Sequence, residues 1–384
     1  GYAGAMSGAR VNRSDVKSLR STTVTPPTDG LESKNGDSYF DDAQSVYAVT
    51  AGKYAGGYVG SADIDSAASV GGGLSLLGDA VQLTNILSAV DAVATKITDS
   101  DVYGAPGGFS VRANGTDQKD IVRGMAGGFV GRSSGSQMTN SNVNNFNYII
   151  GQETAGGYAG MMEPGNVASV IQDTGALGGL LNVQEAVASL VNSFIPIVED
   201  SSTTCVPYGG GVRAQGATDT DLSRGMAGGY VGYNHGGRIV GETKECAAVR
   251  IRSVYGHEFA GGFTGLMETA DIAGTGNLSV LYGLLEASNV LGLLSAVYPT
   301  ETKTAVYGPL RDIDMDTWNN WVKYVGQNGN YGNQLPSEPV ASQEALDALI
   351  KKYAYGYNVV AGRDKGGSQA HQAGCAGGYV GRMK

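Results

Sequence analysis

The sequence has few cysteines, few histidines and few charged residues for its length. Of 384 residues, three are cysteine, three are histidine and 16% are charged. An odd number of cysteines that follow no metal-ligand spacing argues against a disulfide framework, although a single pair between Cys205 and Cys246 stays open. The histidines lie in unlike contexts, and neither a nucleophile elbow nor an H-E-x-x-H motif occurs. These absences predict a protein that is not an enzyme and that needs no cofactor.

Long apolar runs are also missing. No run approaches the roughly twenty residues that a membrane-spanning helix needs, and no signal peptide or anchor is recognisable. The formal net charge of −10 argues against nucleic acid and against anionic membrane surfaces as partners. Because both ends cut into copies of a repeated motif, we expect a monomeric fragment of a larger chain.

Glycine, in contrast, is abundant, with 61 residues. The glycines show no strict three-residue period, which excludes collagen and favours β-structure rich in turns. Many belong to a hexapeptide, AGGYVG and its variants, that recurs along the whole chain. Its copies begin at Ala55, Ala126, Ala155, Ala227, Ala260 and Ala376. Such self-similarity predicts a stacked architecture in which each short unit packs on the next.

The fourth position of the hexapeptide is always aromatic. It is occupied by Tyr58, Phe129, Tyr158, Tyr230, Phe263 and Tyr379. Because phenylalanine replaces tyrosine twice, the ring is needed and the hydroxyl is not, and we expect the rings to stack in a ladder. The two preceding glycines allow either a close backbone approach or a turn with positive φ. A phosphate-binding loop is disfavoured, because no Lys-Ser/Thr follows and the motif occurs six times.

The hexapeptides belong to a longer repeat, in which the same order of features recurs after roughly one hundred residues. It predicts one continuous solenoid over 1–384, divided into a partial unit (1–54) and units 55–154, 155–259 and 260–384, with an insert at 310–374. In each unit a Leu-Leu pair precedes an apolar segment with helical spacing, such as Leu83, Ile86, Leu87 and Val90. The expected fold is mainly β, a parallel β-helix or β-solenoid with short amphipathic helical insertions stacked along one flank.

The insert at 310–374 departs most from the repeat, and departures are where a special surface is expected. It contains both tryptophans, and its aromatic residues are our candidate binding residues. They are Trp318, Trp321, Tyr324 and Tyr331. Such rings suit a sugar-binding platform or a protein hot spot, and they suit equally the small core of the insert itself.

The same insert contains alternating carboxylates at Asp312, Asp314 and Asp316. On a strand they would share one face and could hold calcium, but a helix–loop–helix calcium site would need glutamate where Lys323 stands. Carboxylates clustered on one face are also what polysaccharide lyases and hydrolases with β-helical folds use. A β-helix polysaccharide-active enzyme or a glycan-binding module is therefore the main alternative to a non-catalytic protein, because fold alone does not decide function.

The AGGYVG and AGGFVG hexapeptides resemble the glycine-rich "GLUG"-type repeats of large cell-wall-linked surface proteins of Firmicutes, including gut commensals. The six copies cover most of the chain. The resemblance implies an extracellular β-solenoid of an adhesin-like protein at the surface of a Gram-positive bacterium. Some giant surface proteins of this style bind host immunoglobulins through variable-region frameworks, an activity like that of a superantigen. No binding residue follows from the resemblance, because the shared motif is structural.

Together these observations predict a binding region that engages a host protein through a rigid, preformed solenoid surface or an edge strand. Immunoglobulin is the specific candidate, and a mucin glycoprotein is the other. A passive stalk that binds nothing is the second alternative.

Overall fold

The computed structural model describes residues 1–21, 47–64, 94–105, 107–115, 123–165, 194–206, 209–216, 225–270, 298–309, 357–361 and 374–383. Within these ranges the chain forms thirty β-strands that pair in parallel. Strands of three to nine residues alternate with bends, because small residues and glycine interrupt each apolar stretch. None of the described segments is a helix long and apolar enough to cross a membrane.

The strands follow the same order in each turn of the solenoid, which we call a coil. Coil 1 contains β1 (Ala3–Ser7), β2 (Arg10–Asn12), β3 (Val16–Leu19), β4 (Val49–Ala51) and β5 (Tyr54–Gly56). Coil 2 contains β6 (Val59–Asp63), β7 (Lys96–Thr98), β8 (Val102–Gly104), β9 (Phe109–Ala113) and β10 (Met125–Gly127). Coil 3 contains β11 (Val130–Ser134), β12 (Gln137–Thr139), β13 (Val143–Gly151) and β14 (Thr154–Gly156).

The second half of the chain repeats this order. Coil 4 contains β15 (Ala159–Glu163), β16 (Ile197–Glu199), β17 (Thr203–Cys205), β18 (Gly210–Ala214) and β19 (Met226–Gly228). Coil 5 contains β20 (Val231–His235), β21 (Arg238–Val240), β22 (Cys246–Val249), β23 (Ile251–Gly256) and β24 (Phe259–Gly261). Coil 6 contains β25 (Thr264–Glu268), β26 (Thr300–Thr302), β27 (Thr304–Val306), β28 (Asn358–Ala361) and β29 (Cys375–Gly377), and β30 (Val380–Met383) begins the next coil.

Stacking of the coils produces four parallel sheets. Sheet A has the order β1-β6-β11-β15-β20-β25-β30, sheet B β2-β7-β12-β16-β21-β26 and sheet D β5-β10-β14-β19-β24-β29. Sheet C is bent, with one half ordered β3-β8-β13-β17-β22-β27 and the other β4-β9-β13-β18-β23-β28. The mainly β, parallel solenoid predicted from the repeats is therefore confirmed. The predicted amphipathic helices, such as the one containing Leu83, Ile86, Leu87 and Val90, lie outside the described residues.

From coil 2 onward, long and short coils alternate. Val59 and Val130, which begin sheet-A strands of successive coils, are 71 residues apart, whereas Val130 and Ala159 are only 29 apart. The period of roughly one hundred residues seen in the sequence therefore covers two coils, one long and one short. Each hexapeptide marks one coil, and it forms the corner between sheets D and A.

The aromatic ring of each hexapeptide lies inside the solenoid. The seven rings of the ladder are Tyr2, Tyr58, Phe129, Tyr158, Tyr230, Phe263 and Tyr379. Successive ring centroids are 4.6 to 5.2 Å apart with interplanar angles of 8° or less, close to the spacing of neighbouring strands. The five inner rings are fully buried, so the predicted ladder is confirmed.

The glycines of the hexapeptide serve close approach rather than a turn of positive φ. A Cβ on Gly127 would lie 1.9 Å from the carbonyl oxygen of Val130, and one on Gly157 would lie 2.1 Å from the carbonyl oxygen of Gly229 in the next coil. Neither glycine has a positive φ. The corner between sheets D and A is thus so tight that no side chain other than hydrogen fits there.

A second ladder, of serine side chains, follows the corner between sheets B and C. The backbone N–H of Ser14 donates to Oγ of Ser100, Ser100 donates in the same way to Ser141, and Ser141 donates to Ser201, at 3.0 to 3.2 Å. The residue before each serine has a positive φ, namely Arg13, Asp99, Asn140 and Asp200. Asparagine and aspartate tolerate this conformation best. The recurring Asp/Asn-Ser pair was the signal for this corner.

The two cysteines that the sequence allowed to pair are free and buried. In the register of sheet C, Thr203 pairs with Ala248 and Thr204 with Val249, which puts Cys205 level with the residue after Val249. Cys246 is four positions back, a separation of about 13 Å along the strands. That distance is far beyond what a disulfide can bridge.

Candidate functional site

The outer surface of the second half of sheet C carries the candidate binding site. Its register aligns Arg112, Ile150, Arg213 and Tyr255 in one row on four successive coils, on the side opposite to core residues such as Val111 and Val212. Ile150 and Tyr255 are buried, whereas Arg112 and Arg213 are half-buried. We call the row and its apolar neighbours the arginine–tyrosine face. It consists of Tyr47, Arg112, Tyr148, Ile150, Arg213, Tyr255 and Val360.

Contacts within the arginine–tyrosine face hold its side chains in place. The guanidinium of Arg112 lies 5.3 Å from the centroid of the Tyr47 ring, and Nη1 donates to the Tyr47 hydroxyl at 3.4 Å. Tyr148 lies between two small residues, Ser110 and Gly211, on the neighbouring coils. Its ring is partly buried and packs against the cluster of Ile150 and Tyr255. The face combines positive charge with apolar and aromatic area in a chain that is acidic as a whole.

A different arrangement occupies the outer surface of sheet A. Arg132 of coil 3 donates from Nη1 to Asp63 of coil 2 at 2.7 Å and from Nε to Glu163 of coil 4 at 2.6 Å. Its guanidinium also lies 5.5 Å from the ring centroid of Tyr54. Burial alone would lower the pKa of Arg132, but Glu163 and Asp63 outweigh it and raise the pKa. Both carboxylates thus accept hydrogen bonds from one guanidinium, and this cluster ties three coils together.

Farther along sheet A the pattern continues with a tyrosine instead of an arginine. The Tyr233 hydroxyl of coil 5 donates to Glu268 of coil 6 at 2.7 Å, and the Tyr233 ring stacks on His235 at 5.3 Å. The carboxylates of this row therefore recur at every second coil, with a hydrogen-bond donor from the short coil between them. β-Helical polysaccharide enzymes also cluster carboxylates on one face. In this row, however, each carboxylate accepts a hydrogen bond from another side chain of the protein.

Asp200 is the most heavily hydrogen-bonded carboxylate at the corner between sheets B and C. Its Oδ1 accepts the backbone N–H groups of Glu242, Thr243 and Lys244 at 2.7 to 3.1 Å, and its Oδ2 accepts the Thr243 hydroxyl at 2.5 Å. Burial would raise the pKa of Asp200, but these hydrogen bonds lower it below its ordinary value. All its contacts fix a turn, so we assign Asp200 a structural role.

Glu301 is the one charged residue at an inward position of sheet B in the described coils. Val11, Ile97, Met138, Val198 and Ile239 occupy the same position in coils 1 to 5. Oε1 of Glu301 accepts hydrogen bonds from Thr264 at 2.5 Å and from Asn234 at 3.2 Å, whereas Oε2 is buried without a partner. Burial raises the pKa of Glu301, and the hydrogen bonds from Thr264, Asn234 and Tyr379 offset only part of that effect.

This raised pKa predicts a pH-dependent stability. The folded state holds its proton more tightly than the unfolded state, whose ordinary value is 4.5. The contribution of Glu301 is therefore most favourable below pH 4.5 and is lost as the pH rises through the folded pKa. We expect Glu301→Gln to gain stability relative to the wild type at pH 7 and to gain less at pH 4, measured by thermal denaturation. Glu242→Gln, which removes an exposed charge, controls for net charge, and equal gains at both pH values would contradict the prediction.

The aromatic residues predicted to bind a ligand cannot be compared with this geometry. Trp318, Trp321, Tyr324 and Tyr331 lie outside the described residues, as do the carboxylates at 312, 314 and 316. In the part of the chain that is described, no three His, Cys, Asp or Glu side chains are grouped closely enough to hold a metal ion. Sequence reasoning missed the arginine–tyrosine face, although the repeated Val-Arg-Ala at Val111 and Val212 was its signal.

Comparison with known proteins adds no further constraint. No protein-family model, no curated protein and no solved structure matches the chain.

Proposed function

We propose that this chain is a non-catalytic, extracellular binding region of a bacterial surface protein that engages a host protein, with immunoglobulin as the specific candidate. The observation that carries the proposal is the arginine–tyrosine face. Arginine and tyrosine are enriched among the residues that dominate protein–protein binding energy, and here they stand in a straight row on successive coils. The surface location at a Gram-positive cell wall is supported by the hexapeptide resemblance.

Rigidity of the scaffold supports the same proposal. The strands beneath the arginine–tyrosine face pack Val111, Ile149, Val212 and Val254 into the core, where all four are fully buried. Side chains mounted on such strands lose little conformational freedom when a partner binds. A preformed surface of this kind suits recognition of another folded protein, whereas a small molecule favours a concave pocket.

The experiment is binding of the 384-residue chain to immobilised polyclonal immunoglobulin, with purified mucin in a parallel channel. We expect saturable binding to immunoglobulin, and we expect Tyr148→Ala and Arg213→Ala to weaken it by about tenfold or more. Arg10→Ala is the matched control, because Arg10 is exposed on sheet B, away from the arginine–tyrosine face. This control is expected to change affinity less than about twofold.

Each other outcome points to a named alternative. Binding to neither ligand identifies a passive spacer, and binding to mucin alone identifies a glycan-binding module. Binding to immunoglobulin that is unaffected by Tyr148→Ala and Arg213→Ala overturns the assignment of the face. Release of products from a polysaccharide, lost in Asp314→Asn while the fold persists, would establish an enzyme instead.

A further inference from the structure

Arg250 is the largest fully buried side chain in the described structure, with 1% exposure. It forms the bend of sheet C in coil 5, between β22 and β23, and its φ of 61° is in the left-handed region. Arginine is a poor choice for that conformation, which asparagine and glycine adopt most readily. The bend itself therefore does not call for arginine.

Coil 3 is the other short coil, and at the corresponding bend it has an uncharged residue in the same left-handed conformation. There the bend is Asn145, with a φ of 68°, and its Nδ2 donates to the carbonyl oxygen of Ala105 at 2.5 Å. In coil 5, by contrast, Nε and Nη1 of Arg250 are buried, and no acceptor in the described residues lies within hydrogen-bond distance. Coil 5 thus combines a strained backbone, a buried cation and unused donors at one position, a combination that indicates a role for the side chain.

Among the described residues, no carboxylate interacts electrostatically with Arg250. The neighbour that affects it electrostatically is the buried thiol of Cys205, whose pKa burial raises well above its ordinary value, so that the thiol is neutral at pH 7. Burial lowers the pKa of Arg250 to about 10, which leaves the guanidinium charged at neutral pH. A buried cation requires a counter-charge. The described residues around Arg250 do not provide one.

The polarity beside Arg250 differs from that of the rest of the core. At this level the neighbouring coils contribute Gly209, with a φ of 95°, in coil 4 and Pro309 in coil 6. Asn147 of coil 3 lies on the far side of Gly210, and both atoms of its amide are buried without a partner in the described structure. Unsatisfied polar groups therefore recur along this corner, whereas the aromatic ladder is apolar.

We infer that Arg250 forms a binding site for a small inorganic anion at the inner corner of sheet C, with the N–H groups at Nε and Nη1 as its donors. An anion would neutralise the guanidinium and satisfy both nitrogens in one step, which a water molecule cannot do. The site is separate from the arginine–tyrosine face, and it does not depend on the proposed function.

The test measures the thermal denaturation midpoint (Tm) of the 384-residue chain while bromide replaces gluconate at constant ionic strength. Gluconate serves as the inert anion. We expect bromide to raise the wild-type Tm saturably by about 2–4 °C. Arg250→Asn adopts the residue that coil 3 uses at this bend and is expected to fold and to lose the bromide response. Arg252→Asn, two residues farther along the chain in β23, is the matched control and should keep the bromide response.

Diffraction keeps the inference testable even if Arg250→Asn does not fold. Wild-type crystals grown in bromide should show an anomalous peak within hydrogen-bond distance of Nε or Nη1. A carbonyl or carboxylate of the chain itself at that place, or density for water alone, would overturn the inference. A Tm response that is absent in the wild type, or equal in wild type and Arg250→Asn, would overturn it as well.

Discussion

Replacing Gly157 with alanine is expected to destabilise the solenoid by about 3 kcal/mol or more, since overpacking against backbone exceeds the usual cost of overfilling a core. The new Cβ would lie 2.1 Å from the carbonyl oxygen of Gly229. Backbone cannot move aside as a flexible side chain can, because the sheet-D and sheet-A strands on both sides of the corner are hydrogen-bonded to the next coil. The measurement is the midpoint of chemical denaturation followed by circular dichroism.

The last hexapeptide provides a matched control within the same motif. Gly378 occupies the position of Gly157, but a Cβ there would have no atom within 4 Å. Gly378→Ala is therefore expected to change stability by less than about 0.5 kcal/mol. Equal losses in the two variants would show that the cost comes from backbone conformation rather than from contact between coils.

Removing a ring from the middle of the aromatic ladder should have an effect of similar size. Tyr158 is fully buried and stacks on Phe129 and Tyr230, each at a centroid distance of 5.0 Å. Tyr158→Ala leaves a cavity between two rings and is expected to cost about 3–5 kcal/mol. The free energy of unfolding from denaturant titration measures the loss.

Replacing tyrosine with phenylalanine retains the ring and removes the hydroxyl, so it distinguishes the contribution of stacking from that of hydrogen bonding. The Tyr158 hydroxyl is buried and has no hydrogen-bond partner in the described structure, so Tyr158→Phe should be neutral or slightly stabilising. The Tyr230 hydroxyl donates to the carbonyl oxygen of Ser201 at 2.9 Å, and Tyr230→Phe should cost about 1 kcal/mol. If Tyr158→Phe were as harmful as Tyr158→Ala, the ladder would depend on the hydroxyl rather than on the ring.

The ladder could be predicted because the hexapeptide, with an aromatic residue at the same position, occurs six times in the sequence. Each copy needs a tight corner and a ring, and both are properties of neighbouring residues. Strand partners, in contrast, are distant in the sequence, since Tyr58 stacks on Phe129 across 71 positions. Only alignment of the copies reveals that pairing. Whether each copy required a positive φ or a close approach could not be predicted, because glycine satisfies both.

The candidate sites were harder to predict because they are departures from the repeat rather than instances of it. Glu301 and Arg250 are single polar residues at positions that apolar residues or asparagine fill in other coils. Their significance depends on which way the side chain points, and a shift of one residue reverses that direction. The arginine–tyrosine face had a repeated sequence signal, but its partners Tyr148 and Tyr255 come from coils with different local sequences.

The alternation of long and short coils also fixes how much width each inserted segment receives. The sheet-A strands that precede the long connections, β6, β15 and β25, are separated by the strands of one short coil each. Two strand spacings amount to about 9.6 Å, which equals the distance between the axes of two packed helices. If every coil carried a connection of this kind, successive connections would begin only about 4.8 Å apart. That spacing suits extended chains but is too narrow for helices. The short coils thus set the starting points of successive long connections two strand spacings apart.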